Sequence, residues 1–398
     1  MEEWKEYKLG DFMEFNPKIK LAKDTLARKI TMDQLIPHCR DIHSWIYEPY
    51  SGGAKFENGD TIMARITPCL ENGKHAYVSC LDKGEVAYGS TEYIVIRGRK
   101  DISDNAFVYY LSHYPNFKNA AIKSMVGTSG RQRAQVDVLE NLIMTLPSLG
   151  EQRVIARFLK SLDDKIEVNR KINENLEQQA QALFKSWFVD FEPFQNGEFV
   201  ESELGMIPKG WRVGILKEIA DIIMGTSPSG SSYNTEGIGD VFYQGRAEFG
   251  FRFPKRNMYT TEAKRFAEVD SVLVSVRAPV GDINVAEEKC CIGRGLASVK
   301  SKNNYNSYLL YLMQSLKNVF DRFNGEGTVF GSINKKAFEE MQIIVPTGNV
   351  ISKFDSIASS MDCQIKRTEQ ESRRLAELRD TLLPKLMSGE LKVNAIVA

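Results

Sequence analysis

The chain has 398 residues, 42% of them hydrophobic, with 52 Lys and Arg against 52 Asp and Glu. That is enough apolar material for two or three domains with cores of their own, and it excludes a disordered or fibrous chain. A formal charge of zero gives no global pull toward nucleic acid or membrane, so any basic surface has to be local.

The opening Met1-Glu-Glu-Trp-Lys-Glu-Tyr-Lys has no apolar signal core, and no apolar run approaches membrane-spanning length. The expectation is a cytoplasmic chain without membrane contact. Residues 1–147 read as a first globular domain. It contains a strand-like run, Gly59-Asp-Thr-Ile-Met-Ala-Arg-Ile-Thr-Pro68, and a second from Tyr88 through Ile96. A helix at Ala106-Phe-Val-Tyr-Tyr-Leu111 follows, then a glycine-rich turn, Gly127-Thr-Ser-Gly-Arg131. This mixture predicts an α+β domain with a modest, irregular sheet.

Residues 148–190 read as a long helix. Apolar positions step by four and three through Ile155, Leu159, Leu162 and Ile166, then Asn169 and Asn173, then Leu176, Ala180, Leu183 and Trp187. That spacing is a heptad seam, and its length predicts a rod of about 50 Å. The aromatic run from Phe184 to Phe191 is read as core. Asp163, Asp164 and Lys165 are read as a solvated flank. Residues 191–210, punctuated by Pro193, Gly197, Gly205, Pro208 and Gly210, read as a linker.

Residues 211–346 repeat the first domain in worn form. Trp211-Arg-Val-Gly-Ile-Leu answers Trp4-Lys-Glu-Tyr-Lys-Leu, Val269 to Pro279 answers Gly59 to Pro68, and Ile292-Gly-Arg-Gly-Leu answers Tyr88-Gly-Ser-Thr-Glu. Ser307-Tyr-Leu-Leu-Tyr-Leu312 and Gly325-Glu-Gly-Thr-Val-Phe-Gly331 supply the helix and the turn. Residues 347–390 then repeat the long helix at a constant offset of 199, so that Asp362 answers Asp163 and Ile365 answers Ile166. Its seam is Phe354, Ala358, Met361, Ile365, Thr368, Ser372, Leu375, Arg379, Leu382 and Leu386. At Arg379 the neighbouring Leu378 is expected to share the seam, and Pro384 predicts a kink or an early end. Both seams are polar at their centre, a pattern that fixes register at some cost in stability. Either helix direction brings these polar residues together. A repeated domain–helix unit closes on itself most simply when the helices are antiparallel.

Six cysteines (Cys39, Cys69, Cys80, Cys290, Cys291 and Cys363) form no Cys-x-x-Cys pair and accompany only four histidines. Buried free thiols are expected, not a zinc site or a disulfide framework. Asp321-Arg-Phe-Asn-Gly-Glu-Gly327 fits a glycine pattern of S-adenosylmethionine-binding methyltransferases. The run before it reads as a helix where such turns follow a strand, and no Asn/Asp-Pro-Pro-Tyr/Phe motif accompanies it. No phosphate-binding loop is present. The alternative of a self-contained methyltransferase or nuclease rests on that one short pattern.

A globular domain, a helix opening Leu146-Pro-Ser-Leu-Gly-Glu-Gln-Arg-Val-Ile-Ala156, a second domain and a second helix ending Leu382-Leu-Pro-Lys-Leu-Met-Ser-Gly-Glu-Leu391 together resemble the specificity subunit of a Type I restriction-modification system. The resemblance covers essentially the whole chain, although Glu-Gln-Arg is absent after Pro346. It implies two target-recognition domains reading the halves of a bipartite, asymmetric site in double-stranded DNA, joined by an antiparallel coiled coil. It also implies a non-catalytic chain that docks two methyltransferase subunits, with restriction–translocase subunits joining the complex. No cofactor is then expected on this chain, and S-adenosylmethionine, ATP and magnesium belong to those partners.

Arginine, lysine, glutamine and hydroxyl side chains on flexible backbone suit phosphate anchoring and major-groove readout. In the first domain the candidates are Arg65, Lys74, Thr128, Ser129, Arg131, Gln132 and Arg133. In the second they are Arg246, Arg252, Arg277, Arg294, Thr328, Ser332, Asn334 and Lys335.

Overall fold

The computed structural model describes residues 4–128, 130–325 and 331–392. The chain divides into two compact units, residues 1–169 with 370–398, and residues 170–369. The two long helices, Leu149–Phe188 and Gly348–Met387, are both cut by this division. Each unit therefore holds one globular domain, half of one long helix and half of the other.

In the first unit, strands order as Met13–Phe15, Tyr93–Gly98, Thr61–Ala64 and His75–Tyr77, antiparallel throughout. A second sheet orders Ile46–Pro49, Leu26–Ile30, Ala87–Gly89 and Ala54–Phe56, with Leu26–Ile30 and Ala87–Gly89 parallel. The second unit repeats the plan. Ala220–Met224, Leu296–Ser301, Val272–Ser275 and Ile283–Val285 form one sheet, and five short strands, among them the parallel pair Asp240–Tyr243 and Cys290–Ile292, form the other. In each domain two larger sheets, with a two-stranded sheet beside them, stand where one irregular sheet was expected. The run from Tyr88 to Ile96 looks continuous in sequence, but it crosses from one sheet to the other. At Gly89 a Cβ would come within 2.3 Å of the Ile30 carbonyl oxygen and 2.6 Å of the Tyr93 ring, so only glycine lets the strands approach and turn here.

One helix in each domain carries the packing. Asn105–His113 is capped by Asp104, which accepts from the Phe107 amide at 3.0 Å, and buries every residue from Phe107 to Ser112. Asn306–Ser315 buries Ser307 through Met313. A short helix without a polar face sits in the interior, between sheet and long helices. In the first unit Phe107, Tyr110 and Leu111 share a core with Ile155, Leu159, Leu383, Leu386 and Met387. In the second, Tyr308, Leu309 and Leu312 share one with Ala180, Phe184, Phe188, Phe354 and Ala358.

Within each unit the long-helix halves run antiparallel. Asp163 meets Arg379 and Asn169 meets Ser372 in the first unit. Asn173 meets Thr368 and Phe188 meets Phe354 in the second. The seam residues are all withdrawn from solvent. Ile155, Leu159, Asn169, Asn173, Ala180, Phe354, Ala358, Ile365, Thr368, Arg379 and Leu386 are buried. Leu162, Ile166, Leu176, Leu183, Trp187, Met361, Ser372, Leu375 and Leu382 are half-buried. The polar centre resolves into pairs. Asn169 donates to Ser372 Oγ at 3.3 Å and to Glu371 at 2.8 Å, and the Thr368 hydroxyl donates to the Asn173 carbonyl.

Four expectations are corrected. Arg379 occupies its seam position itself, 8% exposed, while Leu378 points outward at 45%, because the guanidinium finds a buried carboxylate there. Asp163 is not solvated flank but 4% exposed. The second helix runs through Pro384, whose missing N–H removes a single bond near the end. Ser388 N bonds Pro384 O at 3.0 Å, and buried Leu383, Leu386 and Met387 hold the last turn. The stretch 191–210 is folded, not a plain linker. Phe199–Ser202 pairs with Gly205–Pro208, Gly205 takes φ +97° at the turn, and Phe191 and Phe194 pack on the Trp211 ring. The Phe184–Phe191 run is core, with Phe184 and Phe188 buried. Cys290 and Cys291 are buried thiols, whereas Cys363 is exposed.

Candidate nucleic-acid interface

Each globular domain brings several of its candidate residues together along one edge of loops. In the first unit, Arg65 leaves strand Thr61–Ala64 and binds back on both sides. Its amide donates to Glu92 O at 2.9 Å, and its carbonyl accepts from Ala134 N at 2.8 Å. Thr67 N and Gln132 O pair at 3.0 Å, and Val126 and Ile66 both bridge to Arg133. The glycine-rich turn is thereby laid against the segment that follows the strand. Lys74 lies beside it, since Lys74 O accepts from Ala64 N at 3.0 Å.

The second unit builds the matching edge. Val276 N donates to Gly295 O at 2.9 Å, Gly295 N to Gln244 O at 3.2 Å, and Arg277 bridges to Ser332. Arg246, Arg277, Arg294 and Ser332 come together from four separated segments. Ser129 and Thr328 lie outside the described residues.

The arginines divide into held and free. Arg133 donates to Glu92 at 2.9 and 2.7 Å, which keeps the Glu92 carboxyl below the ordinary carboxylate range. Arg65 donates to Ala134 O at 3.1 Å, Lys74 to Met32 O at 2.7 Å, and Arg246 to Asp282. Asn334 caps helix Lys335–Glu339 through Ala337 N at 2.9 Å, and Lys335 pairs with Glu339. Arg131, Arg277 and Arg294 are exposed and make no ion pair with another described residue. Thr128 is exposed, and Gln132 is half-buried with its backbone tied to Thr67. Arg252, a candidate from charge alone, is 4% exposed and faces the long helices instead.

Behind each edge lies a buried polar clamp to which charge counting gave no access. In the first unit the Tyr110 hydroxyl donates to Asp163 at 2.6 Å, and Arg379 donates to the other oxygen of Asp163 at 2.5 Å. In the second the Tyr311 hydroxyl donates to Asp362 at 2.7 Å, and Arg252 reaches Asp362 at 2.6 Å and Glu177 on the first long helix. Burial pushes the ionisation of both tyrosines far up, so both remain neutral donors. The signal was available in sequence, since Tyr110 and Asp163 both recur in the second copy, as Tyr311 and Asp362. The Glu-Gln-Arg stretch has a similar role. Glu151 accepts from the Trp4 indole at 3.0 Å, and buried Gln152 bonds Asp104 N at 2.9 Å and Ile102 O at 3.0 Å. The second copy, which lacks Glu-Gln-Arg, uses Asp355 to accept from Tyr308 N at 3.0 Å.

Asp321 to Gly325 is the end of a helix, Lys317–Gly325, with no strand before it, and Glu326 and Gly327 lie outside the described residues. Among the described residues no three His, Cys, Asp or Glu side chains converge as metal ligands, and no helix is long and apolar enough to cross a membrane.

Comparison with known proteins places the chain in a family. Residues 1–178 and 208–378 match the Type I restriction modification DNA specificity domain. The chain is 32% identical to a putative Type I restriction enzyme MjaX specificity subunit of Methanocaldococcus jannaschii, over 84% of this chain and 79% of that one. It is 25% identical to the HindI specificity subunit of Haemophilus influenzae, over 98% of this chain and all of the other. The S subunit of a Type I restriction-modification system from M. genitalium shares the fold, with a TM-score of 0.57 over 96% of both chains at 17% identity.

Proposed function

From the premise that this chain belongs to the family of Type I restriction modification DNA specificity proteins, we propose that it reads a bipartite, asymmetric site in double-stranded DNA. It is a DNA-recognition subunit of a restriction-modification system and carries no catalytic activity of its own. The observation that supports the finer reading is the duplicated loop edge, built on one plan but lined by different side chains. Arg131, Gln132 and Thr128 face one half-site, and Arg277, Arg294 and Ser332 face the other. Different chemistry on the two edges calls for different half-sites.

The paired long helices set the gap between the half-sites and dock two methyltransferase subunits, through which restriction–translocase subunits join. S-adenosylmethionine, ATP and magnesium act on those subunits, in the cytoplasm. Deleting one matched heptad from both helices shortens each by about 10 Å, close to three base pairs of rise. The recognised gap should contract by that amount or binding should fail. The check is sequencing of duplexes selected by the purified chain from a randomised pool. An unchanged gap sinks the ruler role.

The free arginines give a separate test. Arg277→Ala and Arg294→Ala should each weaken DNA binding by about 1–3 kcal/mol, roughly 5- to 150-fold. The loss should fall on one half-site only, with the other half-site motif recovered unaltered in the same selection. Equal damage to both half-sites counts against two independent reading edges.

A further inference from the structure

The second domain is held to its long helices by two kinds of contact. One is apolar: Tyr308 and Leu309 pack with Phe184, Phe188, Phe354 and Ala358. Such burial is proportional to area and nearly indifferent to direction, so a small rotation of the domain leaves it largely intact. The other is the clamp. Arg252 is 4% exposed, and its two terminal nitrogens reach carboxylates on different helices, Asp362 on the second and Glu177 on the first. The Tyr311 hydroxyl donates to Asp362 at 2.7 Å and accepts from Arg252 at 3.1 Å. Gln314, one turn along the same domain helix, donates to Glu177 at 2.8 Å. These bonds tolerate little displacement, and a slip would leave buried charge without a partner.

Buried ion pairs contribute weakly to net stability against a well-packed apolar alternative, but they discriminate sharply between arrangements. The two clamps also differ in how they are closed. Tyr110–Asp163 is completed from the second long helix by Arg379, whereas the position matching Arg379 in the other repeat is Ala180, and the arginine comes from the domain as Arg252. The tyrosine–aspartate pair has been kept while the source of the positive charge moved. What the two copies share is the tyrosine–aspartate bond that fixes the direction between domain helix and long helix, not the arginine that closes it.

We propose that Tyr311, Asp362, Arg252 and Glu177 are positioning residues that set the orientation of the second reading edge on the helix pair, and so make the gap between half-sites a single length. The inference rests on the DNA reading above. One base pair of rise is about 3.4 Å, so a small angular play at the clamp, carried out to the loop edge, lets adjacent gap lengths bind.

The test is selection of full-length chain on duplexes with a long randomised window, scoring half-site motifs and gap lengths separately. Wild type should return two motifs at one gap. Tyr311→Phe removes one hydroxyl from an otherwise intact core, and Asp362→Asn removes the charge shared by the clamp. Both should return the same two motifs with the gap spread over two or more adjacent lengths. Val299→Ala, a core change on a sheet strand, should lower stability and leave the gap single. Gap distributions in Tyr311→Phe and Asp362→Asn as narrow as in wild type overturn the proposal, as does equal broadening in Val299→Ala. A wild-type pool without paired motifs instead overturns the DNA reading itself.

Discussion

Arg379→Met should destabilise the first unit by about 3–5 kcal/mol, because it strands the Asp163 carboxylate in the interior. Asp163 is 4% exposed and its ion pair with Arg379 is 2.5 Å long, so solvent cannot take over the lost partner. Tyr110 still donates to the other carboxylate oxygen, at 2.6 Å, but a neutral hydroxyl does not compensate a full charge. Adding Asp163→Asn should recover most of the loss. The amide keeps an acceptor for Tyr110 and carries no charge. The asymmetry between single and double variant is the signature of a buried charge, in contrast to a large packing loss, and a double-mutant cycle isolates it. Hydrogen exchange in the domain helix Asn105–His113, followed through a urea series, reports the first unit without interference from the second. A loss below about 1 kcal/mol in the single variant contradicts a buried, uncompensated carboxylate.

That pair also shows what a sequence conveys and what it hides. The seam was readable because heptad spacing is a one-dimensional pattern, and two copies at a constant offset of 199 reinforce each other. Its polar centre was readable for the same reason as a group of four, but not which residue meets which: Asn169 meets Ser372 and Asn173 meets Thr368. The pattern failed where a charged residue took an interior position. A hydrophobicity rule hands the seam to Leu378, since nothing in the string says that Arg379 has Asp163 opposite. Two adjacent aspartates, Asp163 and Asp164, are indistinguishable by type, yet one is interior and the other partly exposed.

The proposed reading edges separate into residues that the fold holds and residues that it leaves exposed, a division the sequence does not carry. In the first unit the segments on either side of the glycine-rich turn do meet the segment after the strand, through bridges at Arg133, and in the second Ser332 bridges to Arg277, while residues 326–330 lie outside the described residues. Which arginine is available is a different matter. Arg133 and Arg131 are two positions apart, but the first is held by Glu92, a residue from another turn. Arg252 has the same composition as Arg277 and points the other way, into the helix pair. Charge is local to the residue, whereas its partner is supplied by the fold, so composition cannot separate anchoring arginines from free ones.

Acid should destabilise the first unit well before its carboxylates titrate. His75 is fully buried and His113 is half-buried with its Nε2 shut away from solvent, their ring centroids are 4.7 Å apart, and His75 approaches Ser112 Oγ at 3.4 Å. Burial, with Lys118 and His38 nearby, pushes His75 down to about 3, and burial beside His75 pushes His113 well below its ordinary value of 6.5. The folded state therefore keeps both rings neutral while the unfolded chain protonates them below about pH 6.5. More protons bind to the unfolded chain, so stability rises with pH across this window and falls as pH drops from 6.5 toward 3. At pH 5 the His75 ring alone removes about 2 kcal/mol relative to pH 7.5, and His113 acts in the same direction. Asp60 works in the opposite sense, since burial raises its carboxyl and favours the folded state in acid, but its ion pair with Arg97 at 2.6 Å opposes that rise. The net expectation is a marked fall in the melting temperature of the first unit between pH 7.5 and 5, with the second unit, which contains no histidine, changing far less. His75→Leu with His113→Phe should flatten the first unit's dependence across that range. A pH profile as steep in the double variant as in wild type assigns the acid sensitivity to other groups.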